Sequence, residues 1–147
     1  MLGLTPLDAG CSPVEALRRV TLLLERSRAG SYRVQAFRKA VAVVSGMPPE
    51  ELAARLAEET LQEVAGLGPA TAGVVGDAAR GELPAYLMSL QEKATAPLAA
   101  GGSDLYAPVV GDLHAHSDWS DGGSPIEDLV LAAVELGQEW LALTDHS

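Results

Sequence analysis

Between residues 12 and 92 the apolar positions recur at intervals of three and four, and most of these runs open on a helix-start signal. Ser12-Pro13-Val14-Glu15 sets a hydroxyl ahead of a proline and a glutamate three residues on, a capping box. Ala16, Leu17, Val20, Leu23 and Leu24 then share one face of a helix predicted to reach about Ser27. Ala29-Gly30-Ser31 breaks it. A second helix is predicted from about Tyr32 to Ser45, with Val34, Phe37, Val41 and Val44 inward and Gly46 as its stop. Pro48-Pro49-Glu50-Glu51 opens a third, its acids in the first turn where the helix dipole favours them. Thr60-Leu61-Gln62-Glu63 is another capping box and opens a very short helix that halts at Gly66-Leu67-Gly68. Pro69 restarts the chain as a helix to about Arg80. A last amphipathic piece runs from Pro84 to about Glu92, with Leu83, Leu87 and Leu90 spaced for contact. Residues 1–11 have no period and read as a loose lead-in.

After Pro108 the pattern changes. Val109 to Leu113 and Trp140 to Leu143 are short apolar runs that suit buried strands. Between them, Ser120 to Gly123 is turn chemistry, and Ser124-Pro125-Ile126-Glu127 carries a cap, a first-turn proline and a glutamate three after the cap. Ile126, Leu129, Val130, Ala133 and Val134 then form one apolar helix face, ended by Gly137. Two strands joined through a helix make a parallel βαβ unit, expected to be buried on both faces. Thr95 to Pro108, rich in Ala, Gly and Pro, reads as a linker. The predicted organisation is a helical domain over residues 1–93, a linker over 94–108 and a βαβ unit over 109–147. The fold class is therefore mixed.

Composition adds to this picture. Of 147 residues 48% are hydrophobic and 20% charged, enough to bury a core, and with 4% aromatics that core is aliphatic. Cys11 is the single cysteine, which excludes an internal disulfide and fits a reducing cytoplasm. No signal-like start and no apolar run of spanning length is present, so no membrane partner is expected. The net charge of −10 argues against a nucleic-acid binder until it is divided. Residues 1–93 hold all ten bases and eleven acids, whereas residues 94–147 hold nine acids and no base. Residues 18–39 alone contain seven bases against Glu25. A basic patch suits phosphates, and a base-free acidic segment suits cations.

All three histidines lie in that acidic segment. His114 and His116 sit where the first strand runs out, Asp121 occupies the following turn, and Asp145-His146 comes where the second strand runs out. In β/α barrels this end of the strands carries chemistry. A lone His-x-His is often incidental, and Ser-Asp-Gly is an ordinary turn. Their joint occurrence in a strand–turn–helix–strand frame reads as a divalent transition-metal site.

Asp112-Leu113-His114-Ala115-His116-Ser117, Ser120-Asp121-Gly122 and Thr144-Asp145-His146-Ser147 resemble the first two motifs of the PHP (polymerase and histidinol phosphatase) domain. That family is a distorted seven-stranded β/α barrel with metal ions at its C-terminal rim, and it hydrolyses phosphoesters. The resemblance implies metal-ligand positions for His114, His116, Asp121 and His146. It implies an imidazole-orienting role for Asp112 and Asp145. The cofactors implied are divalent ions (zinc, manganese or iron), with sequence giving no choice among them.

Helix, Gly66-Leu67-Gly68, helix is the pattern of a helix-hairpin-helix, whose glycine-permitted backbone leaves amides exposed for a backbone phosphate. With Tyr32, the run Ala36-Phe37-Arg38-Lys39-Ala40 and Gly81-Glu82-Leu83, residues 13–92 resemble the small N-terminal domain of family X DNA polymerases, the polymerase beta type. In bacterial members such a domain shares a chain with a PHP domain. Gly66, Leu67, Gly68, Arg33, Arg38 and Lys39 are the DNA-binding candidates. Two departures stand out. Pro69 to Ala79 contains no lysine, and Val74 occupies the place of the family's Schiff-base lysine, so lyase chemistry by that residue is not implied. A linker of under twenty residues also leaves no room for a palm and fingers.

A lone βαβ unit does not close a barrel, so the expectation is a fragment, itself not expected to be active, of a longer metal-dependent phosphoesterase acting on DNA or nucleotides, with a sequence-independent DNA-binding domain and a role in DNA repair. The alternatives are a non-catalytic nucleic-acid-binding module and a small-molecule phosphatase of the histidinol phosphatase type. Sequence gives no oligomeric state.

Overall fold

The computed structural model describes residues 6–94, 101 and 108–147. Among these, residues 6–94 and residues 108–147 belong to separate compact units. The linker expected over 94–108 falls largely outside the described residues. No helix among them is long and apolar enough to cross a membrane.

The first unit is helical: α1 (Pro13–Arg26), α2 (Ser31–Ser45), α3 (Pro49–Ala57), a 3₁₀ turn (Leu61–Glu63), α4 (Pro69–Ala79) and α5 (Ala85–Ala94). α1 is the hub, packing on α2, α4 and α5. Its predicted inward residues Ala16, Leu17, Val20, Leu23 and Leu24 are all buried, and they meet Val34, Phe37, Val74, Val75 and Leu87 in one core. The Ser12–Glu15 capping box forms with both reciprocal bonds, Ser12 N–H to Glu15 Oε2 at 2.8 Å and Glu15 N–H to Ser12 Oγ at 3.2 Å. Leu7, in the expected loose lead-in, is instead held by Gln91, whose carboxamide accepts from Leu7 N–H and donates to Leu7 C=O.

The capping box predicted at Thr60 does not form. The segment it opens is a single 3₁₀ turn with no side-chain cap. Three residues do not expose the run of unpartnered amides that a capping box satisfies.

The second unit is β1 (Gly111–Ala115), α6 (Ile126–Glu135) and β2 (Trp140–Leu143), with the strands parallel as predicted. Gly111 pairs with Trp140, Asp112 with Leu141 and Ala115 with Leu143, so β1 carries one extra residue between Asp112 and Ala115. β1 starts two residues later than predicted, leaving Val109 and Val110 half exposed.

The expectation of burial on both faces fails. Leu113 is 76% exposed, and of the predicted apolar face of α6 only Ala133 is buried while Val134 is 67% exposed. One helix can cover only one face of a two-stranded sheet. The helix start is also shifted: α6 begins at Ile126, so Pro125 and not Ser124 is its N-cap, and the Ser124 carbonyl accepts from Asp118 N–H at 2.9 Å.

Candidate metal centre

The site assembles where both strands end. β1 hands the chain to His116 and Ser117, a turn carries Asp121 back, and β2 delivers Asp145 and His146. Thr144 N–H bonds the Ala115 carbonyl at 2.8 Å and extends the strand pairing to the site's edge.

His116, Asp121 and His146 each present a ligand atom, all within 4.8 Å of one another. His116 Nδ1 lies 3.1 Å from Asp121 Oδ1, and His146 Nε2 lies 3.7 Å from Asp121 Oδ2. The His116 and His146 rings stand 4.9 Å apart. His114 joins on the other side of His116, with Nε2 to Nε2 at 2.7 Å. In the tautomer that puts the His116 proton in that bond, Nδ1 is a bare lone pair aimed at a carboxylate. His116 Nδ1 is indeed buried without a hydrogen bond, despite the nearby Asp121 oxygen. In that tautomer the two facing lone pairs can share a cation, and two imidazoles with one carboxylate are a donor set that a divalent transition metal accepts. The residues fit the ion.

All four residues predicted as ligands therefore gather at one place. His116, Asp121 and His146 form one set, and His114 sits against the far nitrogen of His116.

The bonds of the two predicted orienting carboxylates go to backbone and serine groups. Asp112 Oδ1 accepts from the backbone N–H of His114 at 2.9 Å, at the point where the extra residue disturbs the strand register. Asp145 grips the turn. Its Oδ1 accepts from Ser117 N–H at 2.6 Å and from Ser120 Oγ at 2.7 Å, and its Oδ2 accepts from Ser117 Oγ at 2.5 Å. These serine bonds hold the Asp145 carboxyl below its ordinary range; the nearby His116 adds a smaller push the same way and desolvation opposes it.

Three further residues shape the site. Ser117 is fully buried, and its carbonyl accepts from Ser120 N–H and Gly122 N–H while its hydroxyl accepts from Trp119 N–H. Gly122 lies so close to β1 that a Cβ there would stand 2.0 Å from the His116 carbonyl oxygen. Only glycine closes this turn. Ser117, Ser120 and Gly122 all lie inside the matched motifs, but their spacing does not disclose which groups they bond.

Among the DNA-binding candidates, Arg33 and Lys39 are exposed, whereas Arg38 is half-buried in an ion pair with Glu25. Leu67 is a core residue, 5% exposed, so its side chain is withdrawn from any ligand. Gly66 has φ +103° and lies against Lys39 and Val43 of α2, where a Cβ would be crowded. Gly68 N–H is taken by Thr71 Oγ1 at 2.9 Å, and the first-turn amides of Ala70 and Thr71, as at any helix start, have no acceptor within the helix. A cavity of about 400 Å³ lies beside them, lined by Tyr32, Arg33, Phe37, Gly66, Gly68 and Thr71 among others. Val74, at the place of the family's Schiff-base lysine, is 1% exposed and belongs to the core.

Residues 112–147 match the PHP domain family. Two curated proteins also match part of the chain. A stretch of 39 residues is 46% identical to DNA polymerase/3'-5' exonuclease PolX of Bacillus subtilis (strain 168), covering 26% of this chain and 7% of that protein. A stretch of 43 residues is 60% identical to Error-prone DNA polymerase of Cutibacterium acnes (strain DSM 16379 / KPA171202), covering 26% of this chain and 4% of that protein. The match thus spans only a small part of either relative. No solved structure matches the chain significantly.

Proposed function

We propose that the PHP segment is part of a metal-dependent phosphoesterase that acts on DNA or nucleotides, and that residues 1–93 are a helix-hairpin-helix domain holding nucleic acid by its phosphates. The observation that carries the reading is the convergence of His116, Asp121 and His146, with the buried Nδ1 of His116 facing a carboxylate. The names of the two relatives, both DNA polymerases and one also an exonuclease, favour a nucleic-acid substrate.

His116, Asp121 and His146 would hold the ion, and His114 would support His116 through the bond at its far nitrogen. A bound divalent ion supplies Lewis-acid polarisation of a phosphoryl oxygen and a water acidic enough to ionise near neutral pH. Zinc, manganese and iron all suit this donor set. In the helical domain, exposed Arg33 shares a cavity with Ala70 and Thr71 and exposed Lys39 lies against Gly66, an arrangement of positive charge and helix-start amides that takes a phosphate oxygen without reading a base. Arg38 is the weaker candidate because Glu25 already offsets its charge. The cytoplasm is the compartment that a lone cysteine fits.

The test is metal binding and phosphodiester hydrolysis by the longer phosphoesterase of which this segment is proposed to be part, and by its His116→Ala and His146→Ala variants. Both variants should lose bound metal and hydrolysis together. Wild-type metal content in either variant would end the metal reading. Metal binding without hydrolysis of any phosphoester would favour a non-catalytic module.

A further inference from the structure

We propose that Asp145 is a positioning residue for this centre: through Ser117 and Ser120 it clasps the turn that carries Asp121, so affinity for a divalent cation depends on a carboxylate that does not itself bind the ion. The inference rests on the metal reading above and goes beyond it by separating the ligands from the device that holds them.

The case begins with how the Asp145 oxygens are used. Oδ1 accepts two bonds, from Ser117 N–H and Ser120 Oγ, and Oδ2 accepts one from Ser117 Oγ. Lone pairs committed to three donors are poorly placed to coordinate an ion. Asp145 accordingly stands outside the ligand cluster, although its neighbour His146 is inside it.

The clasp then links two segments that are 28 residues apart in sequence. Ser117 is the link on the β1 side and spends every polar group there. Its amide and hydroxyl go to Asp145, and its carbonyl ties down Ser120 and Gly122, the residues on either side of Asp121. Ser120 adds a direct bond from the residue preceding Asp121. Its oxygen is also 3.3 Å from Asp121 Oδ1, but a hydroxyl has one proton, and the shorter contact to Asp145 takes it. Asp121 is thereby left with both oxygens available to His116 and His146.

Neither apolar packing nor strand pairing could substitute for this clasp. Asp121 and His146 are exposed, and the strands have ended before either residue is reached. Charge-assisted bonds to a carboxylate are among the stronger ones available for such a task.

The experiment uses the full chain, Co²⁺ as the probe ion, and the variants Asp145→Ala, Asp145→Asn, Ser120→Ala and His116→Ala. Co²⁺ affinity comes from titration, and the visible absorption at saturation reports the ligand set. Amide exchange of Ser117 and Gly122 in metal-free protein reports the clasp without any ion. Expected for Asp145→Ala is affinity about 10- to 100-fold weaker, an unchanged absorption spectrum at saturation and lost protection at Ser117 and Gly122. Asp145→Asn, which keeps one acceptor oxygen, should fall between it and wild type. Ser120→Ala removes a single bond from a residue outside the ligand cluster and should weaken binding about five- to tenfold. Folding of the unit is read from Trp119 and Trp140, the only two tryptophans of the chain.

Three results would overturn the proposal. Unchanged Co²⁺ affinity in Asp145→Ala, with His116→Ala losing it, would remove the clasp and leave the metal reading standing. A changed spectrum at saturation in Asp145→Ala would make Asp145 a ligand. No Co²⁺ binding by the wild-type chain would end both readings, and that outcome is recognised before any variant is made.

Discussion

The helical unit and the strand–helix–strand unit are held together by different forces. Among the described residues every buried apolar side chain except Ala133 belongs to the helical unit. Large apolar side chains left exposed show the reverse. The helices leave Tyr32 and Met88, whereas the smaller unit leaves Leu113, Trp119, Val130, Val134, Trp140 and others. Burial shapes the first unit. Hydrogen bonds around Ser117 and the close approach of Gly122 to β1 shape the part of the second that carries chemistry. A hydrophobic core tolerates small shifts of its parts, because burial has no preferred direction. A turn fixed by directional bonds and one close backbone contact does not. The two units should therefore fail under different substitutions and report through different probes.

The largest expected effect tests the core. Leu17 and Leu87 are both fully buried, so Leu17→Ala or Leu87→Ala should destabilise the helical unit by about 2–5 kcal/mol. Most of the helix lies in that unit and both tryptophans lie in the other. Urea unfolding followed by far-ultraviolet circular dichroism should shift strongly, with tryptophan emission shifting little. Equal shifts in both signals would mean that the units unfold as one, and the contrast drawn between them would collapse.

Gly122→Ala should do the reverse. The added Cβ meets the His116 carbonyl, which is backbone and cannot swing away, so the turn must move and carry Asp121 with it. Divalent-cation affinity should fall about 10- to 100-fold, the range seen when groups supporting a metal site are disturbed. The helical transition should stay where it is. Wild-type affinity in this variant would show that Asp121 reaches its place without the tight turn.

Legibility in the sequence follows the same division. The helices were readable because burial leaves a periodic trace: the spacing of Ala16, Leu17, Val20, Leu23 and Leu24 is the packing face of α1 itself. The convergence of His114, His116, Asp121 and His146 is legible because a strand end, a turn and a second strand end bring them together whatever the bonding details. Hydrogen-bond partners leave no such trace. Asp145 holds two serines, and sequence shows a carboxylate beside a histidine but not the direction in which it points. Ser124-Pro125-Ile126-Glu127 carries the signature of a capping box, yet the helix starts one residue late, with Asp118 N–H bonded to the Ser124 carbonyl. Leu67 stands between two glycines in the hairpin pattern, but its position there turns an apolar side chain into the core.

The smallest expected effect lies at a helix start, where the helical unit does rely on directional bonds. Ser12 and Glu15 form the one complete capping box of α1, and Ser12→Ala should cost about 1 kcal/mol. The Glu15 carboxyl is held below its ordinary range first by the Ser12 side chain, next by the Ser12 amide and least by Arg18, with desolvation opposing. A depressed folded-state pKa gives stability that is present above the unfolded value, about 4.3, and is lost as pH falls through the folded one. The group is at the surface, so water screens its contribution and the loss should be slight. Removing the Ser12 hydroxyl removes the leading cause of the depression. The stability gap between wild type and Ser12→Ala should therefore narrow on going from neutral pH to about pH 3, as urea midpoints of the helical signal can show. A gap that stays constant over that range would mean that the cap acts through the Ser12 hydroxyl and the Glu15 amide alone, with the glutamate's charge contributing nothing.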